Sequence, residues 1–342
     1  MGCSDEHAKQ AADVLLLADL RGIDSHGVAR LEGYVRLWKA GRINPKPNMK
    51  VVHETPTTAT LDGDGGLGLI TAQKGMEIAL EKSSKYGSGW VSICNSNHFG
   101  IAAYHALKAT DKDQMGMALT NASPLVAPTF SSERMLGTNP ICYTIPAGKY
   151  KPVVIDMATS TAANGKLQIA EREGKSIPKG WVQDKDGQAS TDPSELKKGG
   201  SLLPLGSQRE TGGHKGFGLS AWVDIMSGVL SGANYGPWVP PFVSFLPLAD
   251  NMPGKGIGHF VGAMRVDGFR DLDEFKANMD QWIHRFKTAK PSKGQSKVII
   301  PGEPEAEFHE TRAQDGIPII QSVYEQLGEL AKSFDLPFDL LR

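Results

Sequence analysis

The chain has 342 residues, which is enough for about two domains of ordinary size. Hydrophobic residues make up 40% of it and charged residues 22%, the balance of a water-soluble globular protein. Its 37 Lys and Arg residues are matched by 38 Asp and Glu residues, so there is no basic excess of the kind that binds nucleic acid or an anionic membrane surface.

The three cysteines, Cys3, Cys94 and Cys142, stand far apart. Their odd number and wide spacing indicate neither a disulfide framework nor a cysteine-rich metal site. No apolar run approaches the roughly 18 residues of a membrane-spanning helix, and the N-terminus lacks the basic segment and apolar core of a signal peptide. We therefore predict a cytoplasmic protein without membrane or nucleic-acid partners.

The predicted elements begin with two helices. Ser4, followed by two acidic residues, is a typical helix start because its hydroxyl can cap free N–H groups. A second helix is predicted over about 25–39, with an apolar stripe at Leu31, Val35 and Trp38. The run at 44–48 is predicted to be an extended connection.

From about residue 51 the pattern changes to short apolar runs between helical ones. We predict helices at 71–85 and 101–107, and strands at 51–53, 58–61, 90–94, 115–120, 141–145 and 153–157. Strands that flank helices in this way predict an α/β fold.

The second half of the chain is less regular. Residues 159–207 are polar and are predicted to be irregular structure or small helices above the sheet. The other predictions are a helix at 216–230 with a core face of Trp222, Ile225, Met226 and Val229, a loop at 235–253, a strand at 259–266, a helix at 269–286, a strand at 298–301 and an amphipathic helix at 317–334.

A glycine motif at 63–68 matches G-x-G-x-x-G between a strand and a helix. A dinucleotide-binding Rossmann unit also needs an acidic residue after its second strand, and the strand at 90–94 ends in Asn95, Ser96 and Asn97 instead. We interpret the motif as a tight turn.

The run from Asp24 to Arg30 is a candidate substrate site. His26, Arg30 and Tyr34 stand four residues apart, so on a helix they would share one face. An Arg fork binds a carboxylate in bidentate fashion, and Ser25 and His26 can add hydrogen bonds. A surface pair with nearby acids such as Glu32 explains the same spacing equally well.

His98 is the candidate acid–base residue. It lies between the predicted strand at 90–94 and the predicted helix at 101–107. The positive end of a helix dipole disfavours imidazolium, which would leave the ring neutral and able to exchange a proton. The alternative is a loop histidine that caps a helix.

Several loops could bind a nucleotide. The loops at 120–124 and 136–140 can present backbone N–H groups, although ordinary turns have the same composition. Asp156, at a strand end, could accept from ribose hydroxyls or cap a helix. The Gly-rich run 211–218 combines Lys215 with a helix start, which favours phosphate. Neither a metal-binding histidine spacing nor a serine nucleophile elbow is found.

These motifs, in this order, resemble the malate/L-lactate dehydrogenase family of the sulfolactate dehydrogenase type over about residues 5–335. The matching runs are 19–30, 97–100, 137–140, 156–160, 177–181, 212–218 and 301–303. The resemblance implies a non-Rossmann, three-layer α/β/α fold with a mixed sheet, and NAD(P)-dependent oxidation of a 2-hydroxy acid, with malate favoured. NAD is the expected cofactor with NADP possible, no metal is expected, and the implied assembly is a homodimer.

The resemblance also assigns residues. His98 takes the place of the acid–base histidine, and the substrate-binding residues are Ser25, His26, Arg30 and Tyr34. The cofactor-binding residues are Ala122, Ser123, Asp156, Met157, Ala158 and Lys215. The implied domains are a helical substrate and dimerisation domain (1–55 and 298–342), a cofactor-binding mixed-sheet domain (56–125 and 205–297) and a small inserted subdomain (126–204).

Two other functions fit the same scaffold. One is reduction of a ketimine or of a 2,3-diketo acid, since the family acts on varied substrates. The other is a non-catalytic nucleotide-binding oligomer, against which the combination of His98, Arg30 and Lys215 argues.

Overall fold

A computed structural model describes residues 1–339. In that range a seven-stranded sheet has the order β1-β2-β3-β10-β4-β5-β6, and a small three-stranded sheet has the order β8-β7-β9. The large sheet contains Lys50–Glu54 (β1), Thr58–Asp62 (β2), Ser88–Ser96 (β3), Gln114–Thr120 (β4), Ile141–Ile145 (β5), Val153–Met157 (β6) and Ile257–Arg265 (β10). The small sheet contains Val182–Gln183 (β7), Ala189–Ser190 (β8) and Ser201–Leu202 (β9).

Helices cover both faces of the large sheet, and the helices of the two chain ends pack against one another. The helices are Asp5–Leu20 (α1), Leu31–Lys39 (α2), Gly68–Tyr86 (α3), Ala102–Thr110 (α4), Asn164–Arg172 (α5), Gly213–Asp224 (α6), Leu272–Lys287 (α7), Glu303–Asp315 (α8) and Gln321–Lys332 (α9). Among the described residues, no helix is both long and apolar enough to span a membrane.

Strand direction distinguishes this sheet from a Rossmann sheet. Strands β2 and β3 run parallel, and each of the other neighbouring pairs runs antiparallel. Alternate residues of β10 point to opposite faces, so Val261 packs under α3 and α4 while Phe260 packs under α6. The predicted three-layer fold with a mixed sheet is confirmed.

Both chain ends contribute helices that pack together, with α1 against α8 and α2 against α9. At two places the predicted domain boundaries assign strands of the large sheet to other domains. Strand β1, predicted in the helical domain, pairs with β2, and β5 and β6, predicted in the inserted subdomain, pair within the large sheet. The division into domains otherwise stays a prediction, and residues 340–342 lie outside the described part of the chain.

The predicted helix at 25–39 is wrong in its first half. Two short 3-10 turns, Asp24–His26 and Val28–Arg30, precede α2. The break occurs at Gly27, where the Asp19 carboxylate accepts the N–H of Val28 at 2.8 Å. In a regular helix that N–H would donate to the carbonyl of Asp24 instead, so the helix and this contact exclude each other. A side chain at Gly27 would overlap the Asp19 carboxylate.

We expect Gly27→Ala to lower the free energy of unfolding by about 1–3 kcal/mol, because the new methyl group must displace the Asp19 carboxylate. Urea unfolding followed by circular dichroism would measure this. Gly218→Ala is the matched control, since its methyl group would meet no atom. That variant should be as stable as the parent or more stable, by up to about 1 kcal/mol. Equal stability of the two variants would contradict the packing argument.

Two other predicted features are wrong. Residues 298–301 form no strand, because a single bond joins this segment to the sheet, from the N–H of Val154 to the carbonyl of Pro301 at 3.1 Å. Ile225 and Val229, predicted in a core face, are 53% and 52% exposed. Helix α6 changes there to a π turn, which rotates later side chains away from the sheet. The small sheet within 159–207 and α8 had not been predicted.

Candidate active site

The candidate loops meet at one edge of the large sheet. Strands β3 and β4 both run antiparallel to β10 between them, so their carboxyl ends share that edge. Strand β5 runs antiparallel to β4, and β6 antiparallel to β5, which brings the start of β5 and the end of β6 there as well. Sheet topology therefore gathers 95–100, 120–124, 136–140 and 156–160.

The segment that carries His98 is attached to the glycine-rich turn at 63–68. The side-chain amide of Asn97 donates to the carbonyl oxygens of Gly65 and Gly66, each at 3.0 Å. This turn packs against the end of β3, which agrees with its interpretation as a structural turn rather than a dinucleotide-binding loop.

Tyr34, predicted to bind substrate, contacts His98 directly. Its hydroxyl lies 2.7 Å from Nδ1 of His98, and the N–H of Gly100 donates to the same nitrogen at 3.3 Å. With Nδ1 occupied in this way, Nε2 is the nitrogen available to a ligand. The Tyr34 hydroxyl can donate or accept, so it can stabilise either neutral tautomer of His98.

His26 lies against the other side of the site. Its ring stacks on His98 with 5.7 Å between ring centroids, and its Nδ1 lies 2.9 Å from Oγ of Ser25. Because the 3-10 turns interrupt the predicted helix, His26 and Tyr34 do not share a helix face. They converge on His98 from two different elements.

Arg30 is mostly enclosed, and its Nε donates to the carbonyl of Ser25. The alternative pair with Glu32 is not formed, and within residues 1–339 no carboxylate lies at ion-pair distance from this guanidinium. A buried guanidinium without a protein counter-ion favours binding of an external carboxylate.

Phe242 belongs to the site but was not predicted. Its ring centroid lies 4.7 Å from that of His98 and 5.1 Å from that of Tyr34. The guanidinium carbon of Arg30 lies 5.8 Å from the same ring centroid. In the sequence Phe242 is one of several aromatic residues in a Pro-rich loop, and nothing in that pattern indicates a position beside His98.

Burial is the main reason that the pKa values of His98 and His26 are low. It lowers the pKa of His98 well below the ordinary value, and the nearby His26, Arg30 and His259 lower that pKa further. Burial, followed by Arg30, lowers the pKa of His26 to about 4. The expected neutral state of His98 at physiological pH is therefore supported, but burial replaces the helix dipole as its leading cause, since α4 begins only at Ala102.

Backbone contacts connect the loops proposed for the cofactor. The N–H of Ala122 donates to the side chain of Asn139 at 3.1 Å. The N–H of Thr159, which follows Ala158, donates to Thr138, and its own carbonyl accepts from Leu205. These bonds run from the loop after β4 to the chain leading into α6.

Lys215 lies in the first turn of α6 with its side chain exposed. The N-terminus of α6 and this ammonium group together favour a phosphate group.

Met157 is 38% exposed and Ala158 is partly buried at the end of β6. Together with Lys215, these residues fit the diphosphate of a dinucleotide better than the glycine motif at 63–68 does.

Two of the proposed cofactor residues have structural partners. Asp156 accepts the N–H of Ala103 at 2.9 Å and thereby caps α4, while burial raises its pKa to about 6. Oγ of Ser123 accepts the N–H of Phe242 at 2.9 Å. Asp156 makes the contact of a helix cap, and its contact with a ribose stays a prediction. Among the described residues, no cluster of His, Cys, Asp and Glu suits a metal ion.

Residues 1–328 match the family model described as malate/L-lactate dehydrogenase. The malate dehydrogenase of Pyrococcus abyssi is 43% identical over 97% of this chain and 90% of its own length. The L-sulfolactate dehydrogenase of Methanocaldococcus jannaschii is 38% identical over 98% of this chain and 92% of its own. The crystal structure of malate dehydrogenase from Entamoeba histolytica superposes with a TM-score of 0.91 at 36% identity, covering 99% of this chain and 94% of that one.

The fold, the site and these similarities define an enzyme of the hydroxy acid dehydrogenase class, which works with a nicotinamide cofactor. The chain belongs to the malate/L-lactate dehydrogenase family. The resemblance stated from the sequence motifs is therefore confirmed.

Proposed function

We propose that this enzyme interconverts malate and oxaloacetate with NAD, and that His98 transfers the proton. The contact of Tyr34 with Nδ1 of His98, near an Arg30 that has no ion-pair partner among residues 1–339, is the observation that carries the proposal. The identity of 43% to a malate dehydrogenase favours malate over other hydroxy acids.

Arg30 binds the carboxylate next to the reacting carbon. Within residues 1–339 its guanidinium hydrogen-bonds only to the carbonyl of Ser25, through Nε, and it lies beside the same Phe242 ring as His98. The hydroxyl of Ser25 and the ring of His26 can add hydrogen bonds to the same acid. In this proposal C2 of the substrate lies next to Nε2 of His98.

His98 exchanges the proton of the C2 hydroxyl group. In the base form Nδ1–H donates to the Tyr34 hydroxyl and gives up the longer 3.3 Å contact from the N–H of Gly100, so that Nε2 is free to accept that proton as malate is oxidised. When malate is formed, Nε2–H donates to the carbonyl oxygen. The low pKa of His98 favours the role of base at neutral pH.

A nicotinamide cofactor held here would supply the acceptor for the hydride of C2 in oxidation and the hydride donor in reduction. We propose that Ala122, Ala158 and Lys215 contact the cofactor, with Ser123 and Met157 beside them. Ala122 and Ser123 follow β4, and Met157 and Ala158 lie at the end of β6, at the same sheet edge as His98, while Lys215 lies in the first turn of α6. NAD is the proposed cofactor and NADP the alternative.

We also propose a cytoplasmic homodimer. Ile225, Val229 and Leu230 are 53%, 52% and 56% exposed on neighbouring turns, an apolar surface that a second subunit would cover. The three cysteines are free, as expected in a reducing compartment. Light scattering at several concentrations tests the dimer, and a monomer at micromolar concentration would contradict it.

The substrate is tested by one set of assays. The purified enzyme is given oxaloacetate, sulfopyruvate, pyruvate or a cyclic imino acid, each with NADH and with NADPH. We expect the highest kcat/KM with oxaloacetate and NADH. A preference for sulfopyruvate would identify the enzyme as a sulfolactate dehydrogenase instead. Turnover of the imino acid alone would identify it as a ketimine reductase.

Tyr34→Phe should lower kcat by about tenfold, because the variant loses the hydrogen bond that orients His98. Binding of the acid should change little, so KM stays close to the parent value. Steady-state kinetics at several pH values measure both. Tyr104→Phe is the control, since its hydroxyl contacts Gln73 at 3.4 Å, outside the site. Equal kinetics in the two variants would contradict a role for Tyr34.

A further inference from the structure

The segment around Phe242 crosses the site in an irregular conformation. The Phe242 ring is 8% exposed and lies against His98 and Tyr34. Since Phe242 comes from neither the sheet edge nor α2, its position must be set by the bonds of its own segment.

Three hydrogen bonds set that position. The N–H of Phe242 donates to Oγ of Ser123, and its carbonyl accepts from the guanidinium of Arg36. Arg42 donates to the carbonyl of Pro241 at 2.9 Å. Gly33 of α2 leaves the space that the ring occupies, because a side chain there would overlap it. The ring is therefore fixed by bonds from both sides of the site.

A pocket of about 570 Å³ lies next to Phe242. Phe242 lines it together with Ser25 and Arg30, and the pocket extends to α5 and α9. His98 does not line it. Phe242 therefore contacts both His98 and a pocket that His98 does not line.

We propose that Phe242 is a positioning residue that separates His98 from the water of this pocket, so that the imidazole exchanges its proton with the substrate. The inference rests on the proposed acid–base role of His98. An enclosed site prevents loss of the proton to solvent and strengthens each electrostatic contact in it.

The groups around His98 and its burial together determine the pKa of its imidazole. Tyr34 contacts it from α2 and His26 from the first 3-10 turn. Arg30 from the second 3-10 turn and His259 from β10 act on it through their charge. The positive charge of Arg30 opposes protonation of His98, but burial does so more strongly. Removing the Phe242 ring would join the site to the pocket and relieve the burial, while Arg30 would remain.

The test compares Phe242→Ala and Phe242→Leu with Phe245→Ala. Phe245 lines the same pocket and is 38% exposed, so the control removes an aromatic ring from the same segment without opening the site. The pKa of His98 is measured by NMR titration of histidine-labelled protein, with its signal assigned through His98→Asn. This readout does not depend on turnover.

We expect the pKa of His98 to rise in Phe242→Ala toward the ordinary histidine value of about 6.5. It should rise less in Phe242→Leu and remain unchanged in Phe245→Ala. The low-pH fall of kcat/KM for malate oxidation should move to higher pH in parallel, since the base must be unprotonated. If Phe242→Ala does not fold, the test is made on Phe242→Leu, in which the pKa of His98 should also rise.

An unchanged pKa of His98 in a folded Phe242 variant, or an equal rise in Phe245→Ala, would overturn the proposal. Failure of the proposed function is a separate result: the parent enzyme would then turn over none of the oxo acids, while the titration would still report whether Phe242 shields His98.

Discussion

His98→Ala should lower kcat for malate oxidation by about 10²–10⁴-fold, the usual contribution of a positioned general base. The residue contacts Tyr34 through Nδ1 and leaves Nε2 available to the substrate, so no neighbour can replace it at that position. The affinity for NAD should remain, because the proposed cofactor loops follow other strands. Stopped-flow kinetics and cofactor titration measure the two effects.

The pH dependence provides a second check on this residue. Burial lowers the pKa of His98, so in the parent enzyme kcat/KM for oxidation should fall only well below pH 6.5, as His98 becomes protonated. The fall should disappear in His98→Ala. His53→Ala, on the exposed strand β1, serves as the control and should match the parent enzyme. Near-normal turnover by His98→Ala would exclude the proposed role.

Arg30→Ala should raise KM for malate by about 100-fold, since charge-assisted hydrogen bonds contribute about 1.5–3 kcal/mol each. The guanidinium has no protein counter-ion among residues 1–339, so its removal leaves no buried carboxylate unpaired. The loss should therefore report on substrate binding rather than on folding. Initial rates over a wide range of malate concentration measure it.

Arg30→Lys separates charge from geometry. Lysine keeps the positive charge but cannot form the bidentate contact, so KM should recover only in part. Arg285→Ala removes an exposed arginine from α7 and controls for the change in net charge. A KM for Arg30→Ala equal to that of the parent would show that the acid binds elsewhere.

Much of the fold could be predicted from local sequence pattern. Strands β5 and β6 begin and end at the predicted residues, and α3 and β4 deviate by a few residues at most. These elements are buried on the large sheet, so their apolar spacing reflects one dominant contact surface. The family and the class of activity also followed from motif order and are confirmed.

Local pattern failed where a distant contact overrides it. At 25–39 the helical spacing is real, but the Asp19 carboxylate replaces the backbone partner of Val28 and breaks the helix at Gly27. Asp156 illustrates the same limit, because the sequence allowed either a ribose contact or a cap, and Ala103 uses the carboxylate for a cap. The remaining site assignments stay predictions.

The sequence by itself determined the candidate chemistry: a histidine after a buried strand, an arginine near a Ser-His pair, and a lysine at a helix start. These are properties of residue type and of neighbours within one or two turns. Only the tertiary structure decided that His26, Tyr34 and Phe242 surround His98, because they lie on separate elements whose distances depend on sheet order and packing. Burial is likewise a property of the assembled fold, and burial is what keeps His98 neutral.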